Sequence, residues 1–170
     1  MEPDGGEEIV IAAYAPGDEE AIAALILPIQ QTEFGVAITL SDQLDLADIP
    51  AFYQTGRGGF WVAKAGARVV GTIALKDIGN ADAALRKMFV AADYRGAAFS
   101  VGARLLEPLV SEARCSGVDR IFLGTTDAFK AAHRFYEKNG FTEIARDGLP
   151  SAFPVMAVDS KFYVRRLAGS

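Results

Sequence analysis

The sequence predicts a mixed α/β domain in which a central sheet is covered by helices. Two observations carry this. Runs rich in β-branched and aromatic residues, bounded by glycine turns, stand both before and after amphipathic stretches. The hydrophobic period also switches from two to between three and four near residue 100, and back near residue 120. A chain of 170 residues suits one unit, read as a single domain over residues 1–170. At that size a chain buries roughly 70% of its unfolded surface, so neither disulfide nor metal is needed to hold it together.

Residues 8–13, EIVIAA, read as the first strand. Pro16 and Gly17 end it, and Asp18 is placed to cap a helix running to about Ile29. Residues 30–40 fit neither period. Ser41 or Asp42 begins a second helix that reaches about Tyr53. Gly56, Gly58 and Gly59 mark a turn, after which residues 60–64 and 68–76 form a hairpin through Ala65-Gly66-Ala67. Residues 78–81 turn the chain again, and residues 84–90 make the next strand.

Beyond it, Val101, Leu105, Leu106, Leu109, Val110 and Ala113 recur at spacings of three and four, one face of a helix. Pro108 sits inside that pattern. A proline in a helix interior costs about 3 kcal/mol, which predicts a kink or a helix held by its buried face. Gly117 stops the helix, and Arg120–Thr125 is a strand. Asp127 caps a short helix that ends at Asn139-Gly140. Residues 141–145 and 155–164 are the last two strands. The three-strand meander is expected to be antiparallel, and the strand–helix–strand unit over residues 84–125 parallel and right-handed.

The 17 basic against 22 acidic side chains leave a net charge of −5, which disfavours phosphate backbones and anionic membranes as partners. The acidic N-terminus is not a secretory leader, and no apolar run approaches the ~20 residues of a membrane span, so a cytoplasmic location is expected. Cys115 is the only cysteine and His133 the only histidine, so no zinc site is expected. His133 reads as a helix-surface residue and Cys115 as packing. Phe34, Tyr53, Trp61 and Phe153 are mostly core, with an acceptor pocket as the alternative use.

Two segments carry chemistry. In MFVAADYRGAAFSVGARLL, residues 88–106, a strand passes through a small-residue loop into a helix. Free N–H groups and the dipole at a helix start attract anions, and Arg95 adds a fixed cation. The bland alternative is a tight turn with no ligand. In AAHRFYEKNGF, residues 131–141, Ala132 and Tyr136 share one helix face. Read alone, Phe135 and Tyr136 would be core aromatics above a helix stop.

Together these segments resemble the GNAT (GCN5-related) N-acetyltransferases. The resemblance implies that family's fold: a mostly antiparallel sheet of about seven strands, about four helices, and a splay between strands 4 and 5. It implies acetyl-CoA as cosubstrate, with no metal, and transfer of its acetyl group to a primary amine of a small molecule or peptide. Pantetheine would lie along the fourth strand at Met88, Phe89 and Val90, with a backbone N–H near Phe89 polarising the carbonyl. The pyrophosphate would lie at Arg95, Gly96, Ala97, Ala98, Phe99, Ser100, Val101, Gly102 and Ala103. The family's six-residue loop falls on residues 97–102, where Ala97 replaces Gln or Arg and Ser100 replaces a glycine. The Y-E-K-x-G-F segment carries the thiolate-protonating tyrosine over to Tyr136. The fourth strand has no glutamate to act as base; Glu33 and Asp77 are the nearest alternatives by topology, beside a water chain. Glu33, Phe34 and Phe153 are candidate acceptor contacts. A non-catalytic acyl-CoA-binding module is the competing reading. Dimers of this family commonly form through C-terminal strands, and residues 155–167 are long enough to present an edge, so a homodimer is expected.

Overall fold

A computed structural model describes residues 8–33, 35–96, 99–127, 130–156 and 159–167. The strands are β1 (Ile9–Ala13), β2 (Gly59–Ala65), β3 (Arg68–Gly79), β4 (Asp82–Val90), β5 (Arg120–Thr125), β6 (Thr142–Ile144) and β7 (Lys161–Arg166). They form a seven-stranded sheet in the order β1-β2-β3-β4-β5-β7-β6. Every neighbouring pair is antiparallel except β4–β5. The helices are α1 (Glu19–Pro28), α2 (Leu44–Ala47), α3 (Ile49–Phe52), α4 (Val101–Cys115) and α5 (Lys130–Lys138).

The expected strand–helix–strand unit is present, and α4 runs unbroken through Pro108. Its inner face buries Leu105, Leu106, Leu109, Val110 and Ala113. Fully burying each such leucine contributes about 1.5–3 kcal/mol, so two or more offset the loss at one proline.

Three expectations need correction. The second helix is not continuous but splits into the one-turn α2 and α3. Asp48 starts α3 by accepting a bond from Ala51 N, with Pro50 in the first turn, where its missing N–H costs nothing. The last strand begins at Lys161 instead of residue 155. Pro154 lacks a donor for a ladder, and Met156 N donates instead to the Asp159 carboxylate at 2.9 Å; residues 157 and 158 of the expected strand lie outside the described residues. Finally, β7 offers no open edge. It pairs with β5 along Lys161–Arg166 and with β6 across Phe162, Tyr163 and Val164. The sheet ends at β1 and at the three-residue β6, so the dimer expectation loses the exposed strand it rested on.

Candidate active site

Pairing between β4 and β5 is confined to Asp82–Arg120, Ala83–Ile121 and Ala84–Phe122. Both strands continue, β4 to Val90 and β5 to Thr125, without further pairing. The sheet is therefore splayed at its middle. At the closed end of the splay, Arg120 donates from Nε and Nη2 to the two oxygens of buried Asp82, each at 2.8 Å. This two-pronged bond is the strong form of the pair.

A bulge turns the open part of β4. Thr72 pairs with Phe89 and Ala74 with Arg86, so Lys87 and Met88 together oppose Ile73. Lys87 has a φ of 54°, a left-handed conformation that costs a non-glycine residue on the order of 1–3 kcal/mol. Contacts at both ends of the residue hold it there. The Thr72 hydroxyl donates to Lys87 O at 2.7 Å. The Lys87 ammonium reaches Asp45 at 3.2 Å and Gln43 Oε1 at 2.8 Å. Asp45 also accepts from the Tyr53 hydroxyl at 2.6 Å, and Gln43 bonds Gln30 in both directions. Burial pushes the Lys87 ammonium below the usual lysine range, with Asp45 opposing that shift. This network ties α2 and the turns that follow α1 and α3 to the bulge, and nothing in the motifs announced it.

At the head of α4, Ser100 adopts a φ of 52°, and the first helical bond runs from Arg104 N to Ser100 O. The N–H groups of Val101, Gly102 and Ala103 thus have no acceptor within the helix. Gly102 is a close approach. A Cβ there would lie 3.0 Å from Met88 Cε and 3.2 Å from Phe135 Cε1, so glycine lets α4, β4 and α5 converge. Phe99 stacks on Tyr94 with ring centroids 4.9 Å apart. Arg95 does not point freely outward: its Nε bonds Val90 O at 2.8 Å and its Nη2 pairs with Glu33 at 2.9 Å. Ala97, Ala98 and Phe34 lie outside the described residues.

On α5, Tyr136 is buried beside Phe135, Phe141 and Tyr163. Burial raises its phenol well above the usual value, so it holds its proton at neutral pH. Among the described residues its hydroxyl has no hydrogen-bond partner. His133 is buried too, its Nε2 2.8 Å from Thr126 O. The expectation of a surface histidine gives way to one bound to the chain end of β5.

The two acids considered as bases are engaged elsewhere. Glu33 is occupied by Arg95. Asp77 accepts Arg57 N at 2.9 Å and Gly79 N at 2.8 Å, and these bonds lower its pKa. A depressed folded pKa contributes stability above the unfolded value near 4, lost as pH falls through the folded value. Asp77→Asn should therefore be less stable than the parent at pH 7, with the gap narrowing by pH 3. Urea unfolding at both pH values reads this directly. Phe153 is buried against Phe162, in a cluster with Ala84 and Phe122 under the floor of the splay.

A sequence model described as the acetyltransferase (GNAT) family matches residues 25–141. The chain belongs to the GNAT acetyltransferase family. A GNAT-family acetyltransferase of Staphylococcus aureus Mu50 superposes with a TM-score of 0.87 at 40% identity, covering 94% of this chain and 99% of that one. The PaiA N-acetyltransferase of Thermoplasma acidophilum, solved with coenzyme A, shares the fold with a TM-score of 0.72 at 16% identity, covering 94% and 99%. The N-acetylaspartate synthetase of Danio rerio is 36% identical over 104 residues, 59% of this chain and 36% of that protein. This GNAT chain spans at most about half the length of the curated relatives it matches, 49% and 36% for the first two. Among the described residues, no helix is long and apolar enough to cross a membrane, and no group of three metal-ligating side chains gathers.

Proposed function

We propose that this GNAT domain transfers the acetyl group of acetyl-CoA to a primary amine of a small molecule or peptide, with Tyr136 as general acid. The observation that carries the reading is the splay itself, bounded by the α4 N–H groups that have no acceptor within the helix and by the Tyr136 hydroxyl, which has no hydrogen-bond partner among the described residues.

The residues present fit the cosubstrate. Val101, Gly102 and Ala103 supply backbone donors and a helix dipole for a pyrophosphate. Met88, Phe89 and Val90 form the wall for the pantetheine arm, and Ser100 shapes the turn by its left-handed backbone. Arg95, tied to Glu33, contributes charge near the loop and not a dedicated phosphate fork. When bound, acetyl-CoA supplies an activated thioester carbonyl. Tyr136 gives its proton to sulfur as the C–S bond breaks and the new C–N bond forms; a proton lost by the amine nitrogen restores it.

Thiol release from acetyl-CoA with a panel of amines, amino acids, polyamines and peptides tests the reaction, and calorimetric titration with CoA and ATP tests the site. We expect CoA binding, no ATP binding and thiol release with at least one amine. CoA binding with no release from any acceptor would favour the non-catalytic module, and absence of CoA binding at millimolar concentration would remove the reading.

A further inference from the structure

The open end of the splay holds two opposite charges that face each other without touching. On β5, two residues beyond the last paired position, stands Gly124; level with it on β4 is Arg86. The Asp159 carboxylate fills the place of the missing side chain: a Cβ on Gly124 would lie 2.6 Å from Asp159 Oδ2. Asp159 Oδ2 accepts Met156 N, and its other oxygen makes no bond among the described residues. Met156 joins the two groups, because its sulfur lies 3.6 Å from Arg86 Nη2. Yet Arg86 and Asp159 form no ion pair. Arg86 lies 5.8 Å from the Phe52 ring centroid, and Lys76 Nζ sits 4.5 Å from the same centroid. Among the described residues neither cation has an ion-paired carboxylate, and Lys76 Nζ donates to Phe52 O at 3.2 Å. A guanidinium thus stands on one side of the cleft and a carboxylate on the other, close enough to feel each other without a direct bond.

We propose that the acceptor is an amino acid or similar zwitterion, its carboxylate bound by Arg86 and its ammonium group held by Asp159. This rests on the acetyl-transfer reading and names the acceptor class for it. Each end of such a ligand meets an opposite charge that makes no direct ion pair of its own, and Arg offers two parallel donors to a carboxylate. Asp159 also takes the ammonium proton, leaving the neutral amine that attacks the thioester. Burial raises the Asp159 pKa, with Met156 N, Arg86 and Arg146 opposing, which makes it a better proton acceptor than a surface aspartate. Lys76 adds long-range attraction for the same carboxylate.

The test uses the full chain, acetyl-CoA and matched probes: alanine, β-alanine, methionine and glutamate against their α-amides (β-alaninamide for β-alanine). Losing a charge-assisted hydrogen-bonded pair corresponds to roughly 10- to 100-fold in kcat/KM, so the best acid should exceed its amide by that factor. Arg86→Gln should collapse the acid-to-amide ratio toward one through KM, and Arg86→Lys should restore part of it. Asp159→Asn should lower kcat for acids and amides alike, and Gly124→Ala, which displaces the same carboxylate without removing it, should do likewise. CoA titration and a thermal melt confirm that each variant folds; should Arg86→Gln not fold, a partial fall of the acid-to-amide ratio in Arg86→Lys supports the proposal and an unchanged ratio overturns it. Equal turnover of acids and amides, or an unchanged ratio in Arg86→Gln, overturns the proposal while leaving acetyl transfer standing. Unchanged turnover in Asp159→Asn overturns the amine end. No thiol release from any of these probes, with CoA still bound, overturns this proposal; release from another amine of the wider panel leaves the transfer reading standing, and release from none removes both.

Discussion

Tyr136→Phe should bind CoA as tightly as the parent and lose roughly 10²- to 10⁴-fold in kcat, the usual range for removing a general acid. The structure separates the two effects. The backbone donors at the head of α4 belong to Val101, Gly102 and Ala103, and none depends on the phenol. The ring is held by Phe135, Phe141 and Tyr163, contacts that phenylalanine keeps. Since the hydroxyl has no partner among the described residues, deleting it strands no donor or acceptor, and stability should stay within about 1 kcal/mol of the parent. Thiol release measures the first effect, calorimetric CoA titration the second and urea unfolding the third. Turnover close to the parent's would remove Tyr136 from the mechanism.

Asp45→Ala should be the most destabilising single change near the site, by about 3–5 kcal/mol, because it leaves a buried ammonium without its counter-charge. Lys87 and Asp45 expose only 9% and 8% of their side chains, so water cannot take over the missing bonds. The Tyr53 hydroxyl, wholly buried, loses its acceptor as well. The double variant Asp45→Leu, Lys87→Met should recover most of the loss, since apolar replacement of a buried pair is often neutral. It should not recover activity. Lys87 occupies the strained position of the bulge, and its side-chain anchor opposes relaxation toward regular β geometry. Urea unfolding of the parent, single and double variants gives the stabilities. A single-variant loss below about 1 kcal/mol would mean that the pair is effectively solvated.

Much of the fold was legible because its signals are local. The hairpin at Gly66, the helix face from Val101 to Ala113 and the stop at Asn139-Gly140 each depend on residues a few positions apart. Where local signals conflicted, the reading slipped. Val155 and Met156 have strand-forming side chains, but Pro154 precedes them and Asp159 accepts Met156 N, so β7 begins only at Lys161. Long-range polar contacts left no trace at all. Lys87 meets Asp45 across 42 positions of sequence, and lysine is no usual choice for a left-handed bulge, so neither pairing nor conformation could be read. The same holds for Asp159, an ordinary loop aspartate until β7 carries it over Gly124. The sequence also suggested Arg95 for phosphate; its ion pair with Glu33 was invisible in the linear chain.

The joint between β4 and β5 has a mechanical meaning. Four strands lie on one side and three on the other, joined by three residue pairs and one guanidinium–carboxylate clasp. The sheet is thus two leaves sharing a short spine. On the proposed reading, a thioester arm lodged between them would supply rungs that the spine lacks, so the ligand would brace its own enzyme, stiffening the leaves while held and releasing them as it departs.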